Sequence, residues 1–323
     1  MVVCGGIAPR MACGDDRGRP MLTPQLAGVL GWFPADTETL HVAQSFQIPA
    51  VEDDPSSTPP VGDFRYASQL FVLDGLWGLE RGKYQKPLVG RKVVAALCGS
   101  RYYDLVSKFG SLRSEGCSVL MFNQDLDDGG KDWTGLLRAG ARQINRINGH
   151  EVFVFPSTVV MEGRFKLKPW QGTFLVLLTP KIVLCATSDT YLEEVLNRLD
   201  SAPKDRALPD SLPEWQHVDI KAPGWMLRHV PEKLSRRTLV GVTITMTERS
   251  CRIVYLPVGK SELDPQTYVR NRWFGKDPII GVPTPYQFSR TKDGSIVVEV
   301  ESKDVAPNGP LEWMGIYGAT GAN

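Results

Sequence analysis

The chain has 323 residues, 42% of them hydrophobic and 23% charged, ordinary globular composition with ample material for a core. Its 37 Lys and Arg against 36 Asp and Glu leave a net charge of +1, so the chain as a whole has no field to draw nucleic acid or an anionic membrane. No apolar run reaches the roughly 18 residues that a spanning helix needs, which excludes a membrane-crossing helix.

Residues 1–27 read as an irregular tail broken by Gly, Pro and mixed charge. Its start, Met1 to Pro9, is short and apolar but lacks the basic segment of a signal peptide. The expectation is therefore a cytoplasmic protein as the sequence stands, and an exported one if the front of a signal lies upstream. Residues 28–205 form a first half, interrupted at 51–63 by an acidic, Pro/Ser-rich loop. Strands are predicted near 92–99 and 117–122. A helix is predicted over about 133–147, where Trp133, Leu136, Leu137, Ile144 and Ile147 share a face. The apolar runs 173–178 and 182–186 flank Thr179-Pro180-Lys181 and predict a hairpin. A helix should follow at about 190–200, with Thr190 and Glu193 at capping-box spacing. Its stripe of Leu192, Val195, Leu196 and Leu199 should face the strand carrying Phe174, Val176 and Leu178, leaving Glu194 outward and tolerant of replacement.

The second half, 206–323, opens on the proline-rich break at 201–213 and repeats the pattern. Runs 239–246 and 252–258 predict a hairpin, and Asp264-Pro265 starts a helix to about Phe274. In the first run Val240, Val242, Ile244 and Met246 alternate with Gly241, Thr243, Thr245 and Thr247, which predicts one wet face. Asp293-Gly294 predicts a two-residue turn between strands at 286–291 and 295–301, and 310–317 predicts a last short helix. The expected fold class is α+β: antiparallel sheets with helices on one face, built from repeated β-β-α units.

Chemistry-bearing patterns are sparse. The Gly-rich loop from Asn123 to Asp132 holds Asp125, Asp127 and Asp128, oxygen ligands of the kind calcium takes. The EF-hand spacing fails there, because Asp128 sits where the turn glycine belongs and Thr134 replaces the last glutamate; the competing reading is a turn with Asp132 capping a helix. His41, His150, His217 and His229 match no metal or base motif, and each needs a partner to act as a general base. The six cysteines form no CxxC, and Cys98, Cys117 and Cys185 sit in apolar runs as small buried hydrophobes. Neither GxSxG, nor a phosphate-binding glycine loop, nor GxGxxG occurs. Basic residues at 228–237 and at 270–276, the latter with Trp273 and Phe274, suggest nucleic-acid contact, against solvated surface as the plainer reading.

Gly31-Trp32-Phe33-Pro34-Ala35-Asp36-Thr37-Glu38-Thr39-Leu40 resembles the opening of uncharacterised bacterial exported proteins, where a Leu-Pro-Ala-Asp-Thr entry leads into a first strand. Here Phe33 stands in place of the leucine. The stretch from Val183 to Leu196 resembles their strand-to-helix step. The resemblance implies a non-enzymatic envelope protein and carries over no functional residue. The expected function is a non-enzymatic binding or interaction protein without a cofactor, its partner an unknown protein or small ligand. The alternatives are a hydrolase, metal-assisted through Asp125, Asp127 and Asp128, and a nucleic-acid-binding protein.

Overall fold

Short runs of Val, Ile, Leu and Phe bounded by turn residues favour strands, and they pair here into a single sheet. The computed structural model describes residues 24–48, 69, 72, 88, 90–103, 113–126, 142–155, 173–201, 205–229, 239–258 and 287–301. The described residues form twelve strands: β1 (Thr39–Gln47), β2 (Lys92–Tyr103), β3 (Arg113–Phe122), β4 (Arg142–Ile147), β5 (His150–Phe155), β6 (Thr173–Thr179), β7 (Ile182–Ala186), β8 (Gly224–His229), β9 (Leu239–Met246), β10 (Ser250–Pro257), β11 (Gln287–Arg290) and β12 (Ile296–Glu301). Their order across the sheet is β11-β12-β10-β9-β8-β1-β2-β3-β7-β6-β5-β4. Every pairing is antiparallel. β1 joins the two runs of strands, pairing with β2 on one side and β8 on the other.

This corrects the expected fold class. The described residues are predominantly β, one antiparallel sheet rather than an α+β assembly of β-β-α units with helices on one face. Among the described residues the complete helices are α1 (Pro24–Leu30), α2 (Asp189–Asp200) and a 3-10 helix at Pro213–His217. The helix predicted over 133–147 shows where the repeat fails. Residues 142–147 are strand β4, paired with β5 through Ile147↔His150, while 133–141 lie outside the described residues. The decisive signal is Asn148-Gly149. Both residues have positive φ, 51° and 81°, as the tightest hairpin turn requires, so the isoleucines before it extend into a strand. The helices predicted at 264–274 and 310–317 also lie outside the described residues.

The three hairpins form at 173–186, 239–258 and 287–301. The last one has a longer turn than Asp293-Gly294 alone suggests. The Thr291 amide donates to Ser295 O, the Gly294 amide donates to Thr291 O, and Gly294 alone takes a positive φ, 87°. That is a type I turn closed by a glycine bulge.

Side-chain alternation places two cores on opposite faces of the sheet. On one face Leu40, Val42, Leu97, Val119, Phe174, Val176 and Leu184 lie under α2, which buries Leu192, Val195 and Leu196, with Leu199 at the margin. The predicted stripe shares one core cluster with Phe174 and Val176 of the predicted strand, but the strands packed most closely against α2 are β3 and β7. The helix is capped by Ser188, whose hydroxyl accepts the Tyr191 amide at 3.3 Å, rather than by Thr190. On the other face Phe46, Val93, Leu120, Phe122, Phe153, Leu175 and Val183 form a second cluster. The threonine face of β9 is not wet throughout: Thr243 is buried, because the 3-10 helix lies over it and His217 O accepts from its hydroxyl at 3.5 Å.

Candidate functional site: a cleft beside the second helix

The Asn148-Gly149 turn carries the end of β4 toward α2, and the side-chain amide of Asn148 donates to Asn197 Oδ1 on that helix. Turn and helix border a half-open cleft of about 440 Å³. Its floor is apolar: Val152 and Phe174 are buried, and Ile147 is half-buried beside them. Its rim is polar, formed by Arg146 and Asn148 on the hairpin and by Asp189, Thr190 and Glu193 on the first turns of α2.

The rim charges are not equivalent. Arg146 pairs with Glu151 at 3.0 Å, its charge answered outside the cleft. Asp189 Oδ1 accepts the Thr190 amide at 2.8 Å, and neither Asp189 nor Glu193 is ion-paired among the described residues. Two carboxylates thus border an apolar floor, a mixed lining of the kind small-molecule sites have. No sequence motif marks this cleft. The Asn-Gly turn and the helix start were each legible, but their approach comes from the order β7-β6-β5-β4 across the sheet.

The predicted metal ligands lie elsewhere. Asp125 follows β3 at the surface, about half-exposed, with Lys181 Nζ 3.7 Å from its Oδ1. Asp127 and Asp128 lie outside the described residues. Among the described residues no three His, Cys, Asp or Glu side chains converge on a metal position. Of the basic clusters, Arg228 is buried in β8, and 230–237 and 270–276 lie outside the described residues.

The histidines separate by environment. His41 is enclosed in β1, and burial, with the nearby Arg228 charge, lowers its pKa to about 4, so it is neutral at physiological pH. His217 Nε2 lies 3.1 Å from Asp293 Oδ2. His229 has the carboxylate that sequence could not supply: its Nδ1 is 2.7 Å from Oε1 of Glu214, a fully buried side chain of the 3-10 helix. Burial pushes the Cys251 thiol up to about 12. Burial, then the neighbouring Cys98, moves Cys117 further in the same direction.

The stretches 31–40 and 183–196 pack together. Phe33 lies flat against Gly99, where a Cβ would come within 2.5 Å of its ring. Thr37 Oγ1 and the buried Tyr191 hydroxyl are 2.7 Å apart, and Asp36 and Glu194 both bind Arg101. Glu194 is thus engaged rather than free, against the expectation for that position.

No family model matches the chain, and no curated protein matches it. One solved structure, described as crystal form IV of TP0453, is similar at 9% identity and a TM-score of 0.41, over 85% of this chain and 93% of that one. A likeness that loose carries no functional argument. Among the described residues no helix is long and apolar enough to cross a membrane.

Proposed function

We propose that the protein is a binding protein, without chemistry of its own in the cleft, and that it holds a small molecule between the Asn148-Gly149 turn and α2. The observation that carries this reading is the pairing of an apolar floor, Val152 and Phe174, with the carboxylates of Asp189 and Glu193, which form no ion pair among the described residues. A ligand complementary to that lining has an apolar body and a cationic group. The test uses three probes that share a phenyl ring and differ in charge: phenethylamine, phenethyl alcohol and phenylacetate. Amide resonances of Asn148, Val152 and Thr190 should move together, most with the amine, and Thr190→Trp, which fills the mouth, should abolish the shifts. No shift with any probe, or equal shifts in Thr190→Trp, overturns the reading.

A further inference from the structure

A buried carboxylate is costly unless fully partnered, and Glu214 is only half partnered. Its side chain is fully buried, Oε1 meets His229 Nδ1 at 2.7 Å, and Oε2 makes no hydrogen bond. The strand opposite makes room for it. Gly241 pairs with His229 across β8 and β9, and a Cβ there would lie 2.1 Å from Oε1. His229 itself keeps 27% of its side chain in solvent, and its backbone is fixed by an amide bond of 2.8 Å to Glu38 O. In the tautomer that donates from Nδ1 to the carboxylate, the ring's lone pair stands on Nε2, on a side chain that is 27% in solvent. A held ring, a buried carboxylate on its Nδ1 and a part-exposed side chain are the parts of an activated imidazole.

We propose that His229 is a nucleophilic imidazole whose Nε2 takes an acyl group from activated acyl donors, anhydrides and aryl esters, with Glu214 as its positioning residue. Nε2 attacks the carbonyl carbon, the bond from that carbon to the leaving oxygen breaks, and the ring becomes an acyl-imidazolium. Glu214 stabilises that cation at Nδ1 and takes its proton, and the departing oxyanion takes one from the solvent buffer. The site is separate from the cleft, so it stands or falls without the binding reading.

Diethyl pyrocarbonate is the probe, because it leaves a stable ethoxycarbonyl group on the histidine and releases carbon dioxide and ethanol. Labelling rates at each histidine, read by peptide mass mapping of the folded protein, should be at least about tenfold higher at His229 than at His150, which has no carboxylate partner among the described residues. The Glu214→Gln variant should bring His229 down to the rate of His150 and remove the far-downfield proton resonance of a carboxylate-bound imidazole N–H. A His229 rate no higher than that of His150 overturns the proposal, and so does an unchanged rate in folded Glu214→Gln. Should Glu214→Gln fail to fold, the ratio between the two histidines in the unaltered protein decides alone.

Discussion

Glu194 holds Arg101 through both carboxylate oxygens, Oε2 to Nη1 at 2.9 Å and Oε1 to Nη2 at 2.8 Å. Asp36 and Glu115 bind the same guanidinium at 3.0 and 3.1 Å, and its carbon stands 5.1 Å from the centroid of the Tyr191 ring. Burial opposes the charge on Arg101, but the carboxylates of Glu194, Asp36 and Glu115 outweigh it and hold its pKa above the ordinary value. The network ties α2 to β2, β3 and the turn before β1.

Glu194→Ala should therefore destabilise the fold by about 1 kcal/mol, a modest figure because the carboxylate is part-exposed and two other carboxylates remain on Arg101. A double-mutant cycle with Arg101→Leu should show a coupling of about 0.5–3 kcal/mol that shrinks at high salt. Urea melts of the four proteins measure it, and zero coupling would mean the pair is incidental.

That network marks the limit of what the sequence made legible. The stripe Leu192, Val195, Leu196 and Leu199 defined α2 and its buried face, because helical period is a local signal, but not that β3 and β7 are the strands packed closest to it. The same pattern rule misplaced 142–147, where apolar residues at helical spacing are also compatible with a strand and Asn148-Gly149 settles the choice. The role of Glu194 was not legible, since its partner Arg101 is 93 residues away and only the pairing of β2, β3 and β7 brings the two together. His229 and Glu214 were both visible as residues, 15 apart, but nothing local shows that the 3-10 helix folds back over β8.

Leu196 is fully buried within the α2 core, whereas Glu193, three residues before it, is exposed at the rim of the cleft. Leu196→Ala should cost about 2–5 kcal/mol, the range for leucine truncation in a packed core. Glu193→Ala should stay within about 0.5 kcal/mol. Denaturant melts that gave equal losses would show that the helix is rotated from this description.

His41 makes stability depend on pH in a defined window. Its folded pKa of about 4 lies below the unfolded value of 6.5, first through burial and then through Arg228. Between those values the unfolded chain binds a proton that the folded one refuses, so stability falls as pH drops from 6.5 toward 4. The full contribution is about 3 kcal/mol at the usual 1.4 kcal/mol per unit. Melts at pH values above and within this window should show the loss in the native sequence and a smaller loss in His41→Gln. Parallel losses in both proteins would assign the pH dependence to other groups.

Gly241 gives the last test, because two effects there predict opposite signs. It has no positive φ, so alanine can adopt its backbone, and in a strand that exchange ordinarily gains about 0.5–1 kcal/mol by restricting the unfolded chain. Here the new Cβ would come within 2.1 Å of Glu214 Oε1, 2.5 Å of its Cγ and 2.6 Å of its Cδ. Glu214 is buried and held by His229, so it has nowhere to swing. Overpacking should win, and Gly241→Ala should lose about 1–3 kcal/mol. In a Glu214→Ala background the obstruction is gone, and the same substitution should become neutral or stabilising. Urea melts around this cycle read the coupling directly; a loss of the same size in both backgrounds would show that something other than the carboxylate demands glycine at 241.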